Sequence, residues 1–200
     1  MMMNNRIEIC GNIASGKTSL CRNLQSKGYL PIFENFQANP FYEAFYQNPT
    51  AYSFETGLTF LLQHYHSIKV KSNFANPVCD YSYILDMAYA DVNLSGNRHR
   101  IFSDLIQEIQ EEIGPPLKII YLVCSKKILL ERIVYRERKT EFTIDIKYLQ
   151  DLSHAIQSRI NALSSQTDMT EINSELVNFT RIVDEQFLSS NDVGDHGANT

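Results

Sequence analysis

The apolar positions of this chain switch between a period of two, as in a strand, and a period near 3.6, as in an amphipathic helix. Ile7 and Ile9 mark a short β-rich run over 6–10, which passes through a glycine-containing turn into a helical pattern ending near Lys27. Gly28 then stands where a helix-closing glycine belongs, and 29–33 reads as a second strand whose Pro31 predicts an edge position. Two helical patterns follow between Asn39 and Asn73, broken at Asn48-Pro49; the second carries Phe54, Leu58, Leu61, Leu62, Tyr65 and Ile68 at helical spacing. Buried strands are expected over 77–81 and, after Gly114-Pro115-Pro116, over 117–123. Helices are expected over 83–92, 98–112, from 126 into the basic run at 136–139, and over 145–163. A short strand at 169–173 and a closing helix at 174–187 complete the pattern.

Five strands that alternate with helices imply an α/β fold, since parallel strands need crossovers: a central, mostly parallel five-stranded sheet covered by helices on both faces. A single domain over 1–188 is expected, and 189–200, rich in Ser, Asn, Asp and Gly, predicts a frayed tail. The composition, 44% hydrophobic and 20% charged, excludes a disordered chain. Eighteen Lys and Arg against 23 Asp and Glu give a formal net charge of −5, so extended nucleic acid is not an expected partner. Cys10, Cys21, Cys79 and Cys124 form no CxxC pair and read as reduced thiols of a cytoplasmic protein. The longest apolar runs fall far short of the ~20 residues of a membrane span, and the first residues lack the apolar core of a signal peptide, so no membrane association is expected.

Candidate chemistry begins in the first turn. Gly11-Asn12-Ile13-Ala14-Ser15-Gly16-Lys17-Thr18 is the P-loop pattern, set between a predicted strand and a predicted helix. Glycines let the backbone wrap an anion, inward N–H groups and the helix N-terminus supply positive potential, Lys17 is expected on the β- and γ-phosphates, and Thr18 on Mg2+. A P-loop alone specifies only a bound nucleoside triphosphate. Glu34 follows the second strand and Asp80 closes the third, at the strand ends where open α/β sheets bind ligands, so one can accept the proton of an attacking hydroxyl while the other organises Mg2+. The segment 126–139 carries six Lys and Arg against two Glu in an acidic chain; Arg132 and Arg136 share a helix face, as in an arginine lid over a transferring phosphoryl group. His64 and His66, about 200° apart on a helix, cannot hold one metal ion together.

Taken together these residues resemble the deoxynucleoside kinase family. The resemblance runs from about Arg6 to Leu163 and rests on the P-loop; Phe33-Glu34 with Asn39-Pro40-Phe41-Tyr42 and Phe45-Tyr46-x-Asn48-Pro49; Tyr52-Ser53-Phe54; Asp80 with Asp86; and Leu130-Glu131-Arg132-Ile133-x-x-Arg136-x-Arg138-x-x-Glu141. It implies a P-loop kinase fold with an arginine-rich lid that moves the γ-phosphoryl of ATP, with Mg2+, to the 5′-hydroxyl of a deoxynucleoside. By the same resemblance Glu34 and Asp80 lie at that hydroxyl, Tyr46 and Glu141 at the sugar 3′-hydroxyl, Asp86 near the base, and Arg132, Arg136 and Arg138 near the phosphates. A homodimer, paired through the apolar helices around 54–68 and 101–113, is a further expectation.

Three positions depart from the family pattern. Tyr81 stands where members commonly have Arg, Asn35 replaces the usual Pro, and Gly57 occupies the place of the Gln that reads the nucleobase. Gln63 lies about 120° from the face of Gly57, whereas His64, about 700° further along the helix, returns to within about 20° of it. Either His64 or Ser53 contacts the base, or the pocket takes another nucleobase, or base recognition is lost. A glycine inside a helix costs ~1 kcal/mol relative to Ala, which fits the close approach of a larger group. Purine deoxynucleosides are the first expectation. The alternatives are a P-loop kinase of a nucleoside monophosphate or other small metabolite, and a nucleotide-binding protein that keeps the fold without turnover. The absence of Arg and the single Lys over 29–69 count against an acceptor that already carries phosphate.

Overall fold

The computed structural model describes residues 5–71, 74–163, 167–177 and 179. In chain order the elements are β1 (Ile7–Gly11), α1 (Lys17–Gln25), β2 (Leu30–Ile32), α2 (Tyr42–Gln47), α3 (Pro49–Lys71), β3 (Pro77–Cys79), α4 (Tyr83–Asn93), α5 (Gly96–Ile113), β4 (Lys118–Val123), α6 (Lys126–Tyr135), α7 (Ile146–Asn161) and β5 (Met169–Asn173). The strands form one sheet in the order β2-β3-β1-β4-β5, and every pairing is parallel. Pro31 lies on the edge strand, as the missing N–H requires. Of the expected closing helix, residues 174–176 form a turn; most of that segment and the expected tail at 189–200 lie outside the described residues.

Alternation along the strands sorts the core onto two faces. Ile7 and Ile9 of β1, with Ile120 and Leu122 of β4, face Leu20, Cys21 and Leu24 of α1. Cys10, Ile119 and Tyr121 face the other way, against Leu85 and Ala88 of α4, Leu129 of α6 and Leu149, Leu152 and Ile156 of α7. With both faces covered, the strands read as near-continuous apolar runs.

A third cluster joins Leu61 and Ile68 of α3 to Phe102, Ile106 and Ile109 of α5 and to Met87 and Ala90 of α4. The apolar stripes of α3 and α5 are thus spent on each other inside one protomer, with Leu62 and Ile101 left exposed. All four cysteines are unpaired, and no helix among the described residues is long and apolar enough to cross a membrane.

Candidate active site

The glycine turn after β1 folds as a tight cradle. Gly11 sits at φ 151°, where a Cβ would come within 2.7 Å of Leu122 O, and Gly16 at φ 106° opens α1. Ala14 adopts φ 60°, an uncommon conformation for a residue with a side chain, and Ser15 N–H closes the turn on Asn12 O at 3.1 Å. Asn12 fastens the loop to α7: its Nδ2 donates to Leu149 O at 2.9 Å and Ser153 Oγ at 2.7 Å, and its Oδ1 accepts the Ile13 N–H at 2.6 Å. Lys17 Nζ donates to Gly11 O and Asn12 O. Burial holds this amine below its ordinary pKa while Glu34 opposes the effect. Ser15 Oγ is buried with no hydrogen-bond partner among the described residues, which suits a loop built to meet an anion's oxygens.

Glu34 and Asp80 meet at the carboxyl ends of β2 and β3. The last rung between these strands is the bond from Asp80 N to Ile32 O, after which the chains part and release both acids toward the P-loop. Asp80 is buried; its Oδ2 accepts the Thr18 hydroxyl at 2.9 Å and its Oδ1 the Glu34 N–H at 2.6 Å. Burial raises the Asp80 carboxyl above its usual range against these two bonds. Burial also pushes Glu34 up, but His64, Lys17 and Arg138 together bring it below the ordinary value.

Beside these acids opens a cavity of about 340 Å³, the size of a small-ligand pocket. Lys17, Thr18, Glu34 and Asp80 line one part of it. Its aromatic walls include Phe36, Phe60, Tyr89 and Phe102, and Tyr46, Gly57 and Asp86 also line it.

Glu141 is buried at the lid side, where it accepts the Tyr42 hydroxyl at 2.7 Å and is paired with both Arg136 and Arg138. Arg138 also stacks over the Phe36 ring at 4.1 Å. Tyr46 packs edge-on against Tyr42, centroids 5.2 Å apart, so an aromatic pair and a carboxylate converge on one patch of the cavity. The role of Tyr42 escaped sequence reasoning, although it lies one helical turn before Tyr46 and therefore on the same face.

The structure directs two residues, Arg132 and His64, away from their sequence expectation. Arg132, expected over the phosphates, instead reaches the P-loop from behind: Nη1 donates to Ser15 O at 3.3 Å and Ser174 Oγ at 3.2 Å, and Nη2 to Ser174 O at 2.7 Å. Ser53, a candidate for base contact, lines the cavity while its hydroxyl donates to Pro49 O. His64 is buried between Asp86 and Glu34 rather than lining the cavity. Gly57 lines the cavity as expected, and the group that approaches it is Phe102 of α5, whose Cε2 would lie 3.1 Å from a Cβ there.

A parallel sheet with a P-loop after its central strand, and two acids beside that loop at the edge of a small-ligand cavity, define a P-loop phosphotransferase of small molecules. The deoxynucleoside kinase family model matches residues 7–191, and the chain belongs to that family. It is a deoxynucleoside kinase, and membership implies ATP as phosphate donor. The chain is 31% identical over 152 residues to a deoxyguanosine kinase of Bacillus subtilis, covering 73% of each chain. It is 29% identical over 179 residues to a deoxyadenosine kinase of Dictyostelium discoideum, covering 86% of this chain and 73% of that one. The deoxyadenosine kinase of M. mycoides, solved with bound dCTP, has the same fold: TM-score 0.78 at 21% identity, covering 88% of this chain and 93% of that one.

Proposed function

We propose that in this kinase Glu34 accepts the proton of the deoxynucleoside 5′-hydroxyl while Lys17, Arg136 and Arg138 hold the transferring phosphoryl group. The 5′-oxygen forms a bond to the γ-phosphorus, the bond from that phosphorus to the β–γ bridging oxygen breaks, and ADP leaves. The observation that carries this reading is the Asp80 carboxylate, which joins the P-loop Thr18 to the backbone of Glu34. Among the described residues no three His, Cys, Asp or Glu side chains gather as a metal cage. Mg2+ needs no such cage, because one or two hard oxygen ligands plus the phosphates suffice, and Thr18 and Asp80 are suited to supply them. Bound there, Mg2+ would neutralise charge on the phosphates.

Tyr46 and Glu141, with Tyr42 added, are the proposed contacts of the sugar 3′-hydroxyl, because the Glu141 carboxylate is buried and already bound to a tyrosine hydroxyl. Asp86 is assigned to the base end of the slot. A purine deoxynucleoside is the proposed acceptor, supported by the kinases of B. subtilis and D. discoideum that the chain resembles. The unpaired thiols support a reducing, cytoplasmic setting. Should a second copy pair with this one, Leu62 and Ile101 are apolar residues left exposed on α3 and α5.

Incubation of each of the four deoxynucleosides and its ribo counterpart with ATP, with and without Mg2+, tests the reading. Mg2+-dependent 5′-monophosphate formation, fastest on a purine deoxynucleoside, is expected; equal rates on ribonucleosides would overturn the sugar assignment.

A further inference from the structure

His64 occupies an unusual place for a helix-borne histidine. Its ring lies flat against Tyr81, centroids 3.7 Å apart and planes 7° from parallel, and the Phe60 ring lies at 5.9 Å. Stacked on Tyr81, the imidazole has its plane set, and its two nitrogens lie in that plane. Nδ1 points to Asp86 Oδ2 at 2.9 Å and Nε2 to Glu34 Oε1 at 3.4 Å. Nε2 is buried, makes no hydrogen bond, and lies at ion-pair distance from the Glu34 carboxylate. An ionised carboxylate only accepts, and a neutral imidazole carries a single N–H. The ring can serve both acids only when both nitrogens are protonated.

We propose that His64 is a positioning residue, held as an imidazolium between Asp86 and Glu34, that fixes the Glu34 carboxylate at the edge of the slot. The inference rests on the reading of Glu34 as the proton acceptor. Three acids, Glu34, Asp80 and Asp86, crowd this end of the site, and Lys17 lies close to only part of the cluster. A cation between Glu34 and Asp86 offsets their mutual repulsion. The charges facing His64 support this: Asp86 from α4 and Glu34 from the end of β2, with Lys17 and Arg138 on the far side of Glu34. Burial alone would favour the neutral ring, yet the two carboxylates raise the imidazole to about 10. Tyr81 supplies the flat surface that sets the ring plane, and its hydroxyl donates back to His64 O at 3.5 Å.

The full chain labelled with 15N-histidine, free of ligand, reads the protonation directly. Both ring nitrogens of His64 are expected to keep imidazolium shifts from pH 6 through pH 9, and in Asp86→Asn the ring is expected to lose its proton at lower pH. In steady-state assays His64→Gln is expected to lower kcat about tenfold. Its KM for ATP should change little, because the P-loop contacts do not involve the ring. A neutral His64 ring at pH 7.5, or a kcat of His64→Gln that coincides with wild type, overturns the proposal. A wild-type enzyme that phosphorylates no deoxynucleoside would defeat the role given to Glu34 while leaving the NMR outcome intact.

Discussion

Asp80 Oδ1 accepts the backbone N–H of Glu34 at 2.6 Å, so the two acids of the site are joined by main chain to side chain rather than side by side. Asp80 therefore has two tasks: with Oδ2 it holds Thr18 of the P-loop, and with Oδ1 it fixes where the Glu34 residue begins. The Glu34 side chain lines the cavity, with His64 beside its carboxylate.

This division of labour predicts different defects. Glu34→Gln keeps size and backbone contacts but removes the proton acceptor, and kcat should fall at least ~100-fold with an unchanged far-UV circular dichroism spectrum. Lys17→Ala should lose a similar factor through the phosphate contacts. Asp80→Asn can still accept from only one of the two donors through its single oxygen, so it should lower kcat and also raise the Mg2+ concentration needed for half-maximal rate. Near-wild-type rates in a coupled ADP-release assay would remove Glu34 and Lys17 from the mechanism.

Arg132 links the P-loop carbonyl of Ser15 to Ser174 beyond β5. Arg132→Ala should loosen the cradle, raising KM for ATP about tenfold while the KM for the deoxynucleoside changes little, since a hydrogen bond from a charged group is worth about 1.5–3 kcal/mol. Arg132→Lys should recover part of the loss, because one ammonium cannot reproduce a planar fork that reaches three oxygens. An ATP KM that does not move in Arg132→Ala would show that the loop stands without this support.

The legible parts of this protein are those whose cause is local. The P-loop, the edge position of Pro31 and the break at Asn48-Pro49 each follow from glycine or proline chemistry within a few residues. Glu34 and Asp80 were found because strand ends are predictable, although β2 and β3 stop at Ile32 and Cys79, earlier than periodicity suggests, since the chains separate there to open the site. What sequence could not supply are pairings between distant segments. The Arg132 contact to Ser15, the Phe102 approach to Gly57 and the His64–Tyr81 stack each join residues from different elements. Helical rotation places His64 near the face of Gly57, but the ring does not line the cavity, and only the positions of Asp86 and Glu34 give it its partners.

Gly57 can accept a further carbon only if Phe102 gives way. A Cβ there would lie 3.1 Å from Phe102 Cε2, tight enough that the ring must shift by a few tenths of an ångström. Gly57→Ala gains ~1 kcal/mol of helix propensity against that strain and should be close to neutral in urea denaturation. Gly57→Gln should cost about 1–3 kcal/mol, because Phe102 is buried in the α3–α5 cluster and has little room to retreat. In a Phe102→Ala background the same change should cost less, and additive effects in the double-mutant cycle would disprove the contact.

Asp91 ties three helices together and offers a test by pH. Its carboxylate, on α4, accepts Arg159 of α7 at 2.6 Å and pairs with His99 of α5 at 2.7 Å. Burial would raise this carboxyl, but Arg159 and His99 together hold it below its ordinary value of 3.8. A group whose folded-state pKa is depressed contributes stability that is present above its unfolded value and is lost as pH falls through the folded one. Asp91→Asn should therefore destabilise the protein by about 1 kcal/mol at pH 7, a modest figure because the pair is partly solvated. The gap between wild type and variant in urea midpoints should hold down to about pH 5 and close toward pH 3, as Asp91 takes up its proton. A gap that stays constant down to pH 3 would mean that Asp91 acts through packing alone.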